Sequence, residues 1–364
     1  MNKFVVDFCY KNAYNAGSKA REDVNRIAED NGFMPYMLNT YTVKELKESH
    51  HSHVYILYYR IRKLFVLIRA LLQIKNKSIV FLQYPLEPYR GRPTLSFCRC
   101  LRAKKCHLVL LVHDITYYRN YEVFDKTEAA IFNTASQLIV HTSQMQELFQ
   151  KNGIVPPCRL LWLFDYLTEE VPNRETDLTN SATVAFAGNL DKSLFLNELS
   201  GVHFDNIHLH LYGKEPQNII DYPKWIKYVN HFRPDNVTIL TEGWGLTWDG
   251  DSIEGLFGHL GNYMKYNSSH KTSLYIAAGI PVILSKEAAL AEFVEKNKLG
   301  ITVSSLLDIE KRISELSKEE LQFIRKNVAE MSSSLRSGKR LGSILEDIVK
   351  NVQPKLTESH RMVI

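Results

Sequence analysis

Four short stretches of this chain place polar or titratable side chains, in three of them beside glycines, where an apolar run ends. The first is Asn15-Ala16-Gly17-Ser18-Lys19-Ala20-Arg21. Gly17 can take a positive φ and Ser18 can cap a following helix, and free backbone N–H groups at a helix start attract an anion. An ordinary turn into a helix is the competing reading. The second, Phe186-Ala187-Gly188-Asn189-Leu190, lets a diphosphate approach the backbone at Gly188 while Asn189 donates a hydrogen bond. It lacks the full glycine fingerprint of dinucleotide folds. The third, Val112-His113-Asp114-Ile115, puts two titratable groups where a buried strand opens. Either His113 or Asp114 can serve there as a general base toward a hydroxyl; the alternative is an Asp that caps the next helix and a His bonded to the backbone.

The fourth stretch runs from Trp244 to Pro281. Asp249 and Asp251 follow a short apolar strand and so lie on the loop at its carboxyl end, placed to bind sugar hydroxyls or a cation. Gly243, Gly245, Gly250, Gly255, Gly258 and Gly261 surround them and suggest a lid. His270-Lys271-Thr272-Ser273 opens the next helix, where the helix dipole and the Lys271 ammonium both favour a diphosphate. The P-loop pattern is absent.

These turns must be held by strand-helix alternation. Strands are expected at Phe4–Cys9, Ser78–Gln83, His107–Val112, Gln137–His141 and Leu160–Phe164, then at Thr183–Ala187, Ile207–Tyr212, Gly245–Trp248 and Pro281–Leu284. Helices are expected at Ser18–Asn31, Val54–Ile74, Ser143–Lys151, Thr272–Ala278, Ala288–Asn297 and Lys318–Met331. Such alternation predicts an α/β fold with parallel sheets covered by helices. A polar, acid-rich segment, Thr168–Asn180, reads as a linker, giving Rossmann-like domains at 1–168 and 182–339 that face each other across a ligand cleft. The amphipathic tail, 340–364, is expected to cross back onto the first domain.

Length and composition agree with this division. A chain of 364 residues, 45% hydrophobic and 23% charged, exceeds what a single core usually serves. No run approaches a membrane span, and no leader is expected from a start in which Phe4-Val5-Val6 is the only apolar stretch before Asp7. Five cysteines match no zinc pattern, even around Cys98, Cys100, Cys106 and His107, so reduced thiols and a cytoplasmic setting are the plain expectation. The formal charge is +5, yet Val54–His107 holds twelve Lys/Arg against one acid, Glu87. The basic residues within 60–105 suggest an anionic partner, either the inner face of the plasma membrane or a phosphorylated acceptor; a solvated basic face is the alternative. No nucleic acid is expected, because no reading motif accompanies the charge.

The block GLTWDGDSIEG…YMKYNSSHKTSLYIAAGIPVI closely resembles the C-terminal domain of the bacterial β-1,6-galactofuranosyltransferases of O-antigen synthesis. It is more distantly similar to the streptococcal glucosyltransferases that extend adhesin-linked GlcNAc. The likeness takes in AGSKAREDV, VLLVHDI, LFDYL, AGNL, LYGKE and the RSGKRLGSILEDIV tail. It implies a GT-B glycosyltransferase acting on a UDP-sugar, galactofuranose as the sugar, an inverting displacement, and neither a cofactor nor an obligatory metal. By position, Gly188, Asn189, Arg233, Asp249, Asp251, Lys271, Thr272 and Ser273 would face the donor, while Gly17, Ser18 and Lys19 would face the acceptor beside the catalytic candidates His113 and Asp114. The implied partners are the donor, a glycan or lipid-diphosphate-linked glycan, and further copies of the chain in a homo-oligomer. The Glu-x7-Glu signature of the large retaining families is missing, with Leu274 where its second glutamate would stand. A UDP-sugar epimerase of the same fold and a non-catalytic sugar-nucleotide-binding subunit are the rival readings.

Overall fold

A computed structural model describes residues 1–8, 16–38, 53–169, 182–215 and 222–361. Its first sheet comprises β1 (Lys3–Phe8), β2 (Met34–Leu38), β3 (Ile79–Tyr84), β4 (His107–Val112), β5 (Gln137–Val140) and β6 (Cys158–Leu160). All pairs are parallel, in the order β2-β1-β3-β4-β5-β6. Between the strands run α1 (Ala16–Asp30), α2 (His53–Gln73), α3 (Arg92–Ala103), α4 (Thr116–Tyr121), α5 (Lys126–Phe132) and α6 (Ser143–Lys151). The second sheet comprises β7 (Thr183–Ala187), β8 (His208–Tyr212), β9 (Ile226–Asn230), β10 (Trp244–Thr247), β11 (Val282–Ser285) and β12 (Gly300–Val303), ordered β12-β11-β10-β7-β8-β9 and again parallel. Its helices are α7 (Phe195–Glu198), α8 (Gly258–Met264), α9 (His270–Ala277), α10 (Ala291–Lys296), α11 (Ile309–Ser314) and α12 (Lys318–Arg336), followed by the terminal α13 (Lys339–Arg361).

Central strands such as β3 are buried at every position, as a parallel sheet covered on both faces requires. In each sheet the chain starts in the middle, builds outward on one side, then returns to build the other. The reversal falls between β1 and β3 in the first sheet and between β7 and β10 in the second. Neighbouring loops diverge at such points and leave a crevice beyond the strands' carboxyl ends. The segments after β3, β4, β7 and β10 line one shared cavity there.

Local pattern located most elements. Helix α6 and strands β4 and β7 have the expected bounds, and most others differ by only a few residues. The edge strands β2, β9 and β12 escaped detection: β2 and β9 mix exposed and buried residues without a clean alternation, and β12 is an apolar run of only four residues. The strand expected at Leu160–Phe164 lies earlier, at Cys158–Leu160, and Trp162 takes a positive φ of 63° that ends the extended run. Ser18 caps no helix: it lies inside α1, buried, and its hydroxyl has no partner among the described residues. Nearly all of the linker expected at Thr168–Asn180 lies outside the described residues, as do Cys9 and Asn15.

Helix α13 is seated on the first sheet. Leu341, Leu345, Ile348 and Val352 pack in one cluster with Val5, Val24, Phe81 and Val109. Its N-terminal amides are met by Asp165, whose two carboxylate oxygens accept from Arg340 N–H at 3.2 Å and Leu341 N–H at 2.7 Å. The Arg340 guanidinium in turn donates to the Leu161 carbonyl at 3.0 Å.

Burial pushes the Asp165 carboxyl up from 3.8 to about 6, against the pull of the Leu341 and Arg340 amides. Protonation therefore favours the folded state, and this contribution, complete below pH 3.8, is lost as the pH rises through about 6. Asp165→Asn cannot titrate. In urea unfolding, the stability difference between wild type and Asp165→Asn is expected to change across that interval and to stay flat above it.

Candidate functional site

The two sheets share a cavity of about 480 Å³. From the first half it is lined by Gly17, Ser18, Arg21, Glu87, His113, Asp114 and Arg119; from the second by Gly188, Asn189, Lys192, Asp249, Tyr263, Asn267, Ser268, His270 and Lys271. Ser18 Oγ, Asn267 Oδ1 and Ser268 Oγ are buried here without a hydrogen-bond partner among the described residues. Buried polar atoms are otherwise almost always paired, so three in one cleft point to a polyhydroxylated or phosphorylated ligand.

On the first side, a buried polar chain fixes His113. Asp7 accepts from Asn25 Nδ2 at 3.1 Å, Asn25 Oδ1 accepts from Gln83 Nε2 at 2.8 Å, and Gln83 Oε1 meets His113 Nε2 at 2.7 Å. Because the Gln83 amide nitrogen is occupied as a donor, its oxygen must accept. His113 therefore carries its proton on Nε2 and leaves Nδ1 as the basic nitrogen. Burial holds this imidazole well below its ordinary pKa, as do the Arg21 charge and the neighbouring histidines, which makes it a weak base. Arg21 is bound to Asp7 at 2.5 Å and donates to the Pro85 carbonyl at 2.6 Å.

Asp114 differs. It is only half-buried and pairs with Arg119 Nη1 at 2.8 Å. Burial nonetheless raises its carboxyl, with Arg119 opposing, and a raised carboxylate makes a better general base near neutrality. Asp114 does not cap α4. That role falls to Glu128 on α5, whose buried carboxylate accepts from Thr116 N–H at 2.9 Å, Tyr117 N–H at 3.3 Å and Tyr84 Oη at 2.9 Å.

On the second side, the sequence gathers a cation over the end of β7. A Cβ on Gly245 would lie 2.2 Å from the Tyr275 ring, so a glycine is needed for that ring to cross β10. The Tyr275 hydroxyl then accepts from Ala187 N–H at 2.7 Å and fixes the turn into Gly188. Lys271, in the first turn of α9, lies beside Gly188, with its ammonium 5.4 Å from the centre of the Phe186 ring. A Cβ at Gly188 would stand 2.8 Å from Lys271 Cε. The ammonium pairs with Asp249 at the end of β10.

The two sides are stitched by the last turn of α8 and the segment that follows it to α9. Tyr263 Oη accepts from Ile115 N–H at 2.8 Å, His141 Nδ1 accepts from Ser268 N–H at 3.0 Å, and Thr142 Oγ1 donates to the Tyr266 carbonyl at 2.5 Å. Phe164 lies beneath, with its ring centre 5.4 Å from His113, 4.9 Å from His141 and 4.4 Å from His270.

Of the expected site residues, Gly17, Ser18, His113, Asp114, Gly188, Asn189, Asp249 and Lys271 line the cavity, while Lys19, Arg233, Asp251, Thr272 and Ser273 do not. The Lys19 ammonium pairs with Asp23, donates to the Leu167 carbonyl at 2.7 Å and lies 3.5 Å from Asp235, which ties the halves together away from the cleft. Arg233 is exposed on the loop after β9. Asp251 folds onto its own loop, where a Cβ at Gly258 would collide with its carboxylate. Thr272 is fully buried and shares a hydrogen bond of 3.2 Å with Thr247; Ser273 is fully buried behind it. The glycines expected to form a lid are packed instead: Gly245 against Tyr275, Gly250 against the Gly255 carbonyl and Gly261 against the Leu256 backbone. Sequence reasoning missed Arg119, Tyr263, Asn267 and Ser268, although the last three sit inside the YMKYNSSHKTS block. No group of His, Cys, Asp and Glu that could hold a metal occurs among the described residues.

Comparison with known proteins follows this geometry. Residues 2–161 match the N-terminal domain of the glucosyltransferase 3-like family and residues 184–348 its C-terminal domain. The chain is 29% identical to the Escherichia coli β-1,6-galactofuranosyltransferase WbbI, over 78% of this chain and 82% of that one. It is 24% identical to glucosyltransferase 3 of Streptococcus gordonii, over 92% and 94%. Among solved structures, a trehalose 6-phosphate synthase of Burkholderia multivorans superposes with a TM-score of 0.61 at 10% identity, over 100% of this chain and 98% of that one. A chain of the GtfA/B complex does so with a TM-score of 0.52 at 15% identity, over 80% and 61%. The architecture is that of the GT-B glycosyltransferases.

The buried imidazoles supply a direct test. Burial lowers His141 to about 3 and His270 to about 4, and it lowers His113 as well. Their ring ¹⁵N signals are therefore expected to hold neutral positions from pH 8 to about pH 5, with His113 as the Nε2–H tautomer. Titration of His113 near its ordinary value would contradict its desolvation in the cleft.

Proposed function

The chain belongs to the glucosyltransferase 3-like family, and from that premise we propose that it transfers a hexosyl group, with inversion, from a UDP-sugar to a hydroxyl of a surface-glycan acceptor. One observation carries this reading: Asp114 at the end of β4 shares a single cavity with Gly188, Asp249 and Lys271 at the crossover of the second sheet. Galactofuranose is the favoured sugar, since a relative 29% identical bears the name of a galactofuranosyltransferase.

The donor diphosphate binds over Gly188 and the start of α9, where it competes with Asp249 for the Lys271 ammonium. Asp249, so released, accepts from the sugar hydroxyls. The acceptor hydroxyl loses its proton to Asp114, and its oxygen forms a bond to the anomeric carbon. The bond from that carbon to the β-phosphate oxygen breaks, and its electron pair leaves with UDP. Lys271 and Arg119 stabilise the charge that grows on the departing phosphate, so no metal is required.

Two experiments test the proposal. In a panel of UDP-sugars the true donor is expected to raise the unfolding free energy by about 2.7 kcal/mol at 100 times its dissociation constant, and product is expected only with acceptor present. Release of an altered sugar from donor alone would replace transfer with epimerisation. Lys271→Ala is expected to lower turnover about 10²–10³-fold with unchanged circular dichroism, Asp114→Asn about 10²–10⁴-fold, and EDTA to leave the wild-type rate intact. Loss of activity in EDTA that magnesium restores would refute the metal-independent mechanism.

A further inference from the structure

Helix α2 is 21 residues long and packs against β2 and α3 on the first half of the molecule. It buries Leu67 and Ala70 against the core, yet leaves much of its remaining apolar surface in solvent. Leu57, Ile61, Leu64, Phe65, Ile68 and Leu72 are all exposed, Phe65 to 70% and Leu72 to 79%. At 3.6 residues per turn these six fall within one stripe about 100° wide. Arg60 lies just beyond one edge of the stripe, and Arg62 and Arg69 lie beyond the other. Monomeric proteins rarely leave such a continuous apolar surface uncovered.

Charge decides what covers it. Helix α2 contains no acid, and Glu87, the one acid between Val54 and His107, faces the cleft. Exposed Arg92, Arg99, Arg102 and Lys105 continue the basic surface on and beside α3. A second copy of the chain would bring the same positive surface against this one. No helix among the described residues is long and apolar enough to cross a membrane. An apolar stripe bordered on both edges by arginine instead suits a helix lying flat in a lipid headgroup layer, with guanidinium groups reaching up to phosphates.

We propose that α2 docks the protein on an anionic lipid bilayer, with the Leu57–Leu72 stripe immersed among acyl chains and Arg60 and Arg69 at the headgroup phosphates. The cleft plays no part in this contact, so it stands or falls apart from the transfer reaction.

Flotation of the full chain tests it, with vesicles of phosphatidylcholine alone and of phosphatidylcholine mixed with phosphatidylglycerol. Strong binding is expected only to the mixed vesicles, weakened by salt, which screens surface charge within about 10 Å at 0.1 M. Phe65→Glu combined with Leu64→Glu is expected to cut binding about tenfold or more, because it places charge in the acyl layer. Arg60→Gln and Arg69→Gln are each expected to cut it about fivefold, and they carry the test if the glutamate variant fails to fold. No binding to mixed vesicles, or binding unaffected by all four substitutions, would overturn the proposal. Sedimentation showing that Phe65→Glu turns an oligomer into a monomer would also overturn it and assign the stripe to a second copy.

Discussion

The cleft depends on one constraint: at the buried ends of β4 and β5, three polar groups bond across to the other half of the molecule. The Ile115 amide, the His141 imidazole and the Thr142 hydroxyl all meet the single segment that runs from the last turn of α8 to the start of α9. Each hydrogen bond adds only about 1 kcal/mol net, but a buried group left without a partner costs about 1–3 kcal/mol. The segment is thus held in register with the strand ends. Helix α9 begins where it stops, so the same contacts set the position of Lys271.

Arg21, Arg119 and Lys271 line the cavity with acids attached, and the surroundings of each pair decide its use. Arg21 and Asp7 are both buried, so removing either leaves an uncompensated charge at a cost of about 3–5 kcal/mol. That pair is structural. Through Asn25 and Gln83, the Asp7 carboxylate also anchors the polar chain that ends on His113. Lys271–Asp249 and Arg119–Asp114 border the cavity and keep some contact with solvent. An anionic ligand can exchange for the acid in those pairs at much smaller cost. Basic groups are thus held in place without being used up, and the carboxylates that they release are available to hydroxyls.

The two basic regions of the protein obey different physics. Inside the cleft, the charge of Arg21, Arg119 and Lys271 is paired, partly desolvated and directed at a ligand. On α2 and α3 it is exposed and lies beside uncovered apolar side chains. A phosphorylated ligand suits the first setting and an extended anionic surface suits the second. The sequence reading treated residues 60–105 as charge alone, because the apolar side chains of α2 look like core until their exposure is known.

By itself the sequence determined what depends on neighbours along the chain. The alternation of apolar strands and amphipathic helices fixed the α/β architecture, and the glycine and acid at a strand's end marked Gly188, His113, Asp114 and Asp249 as groups at a cleft. Lys271 was legible because a helix start is a local signal. Tertiary structure decided whatever depended on distant partners. Lys19, Thr272 and Ser273 carry the right chemistry for a ligand site, yet Asp23, Asp235 and Thr247 occupy or enclose them. The role of Tyr263 arises from Ile115, nearly 150 residues away, whereas Arg119 reaches Asp114 only five residues before it, a local pairing that the turn into α4 decides. A side chain's type sets which bonds it can form, but only packing settles which partner reaches it and whether water is excluded.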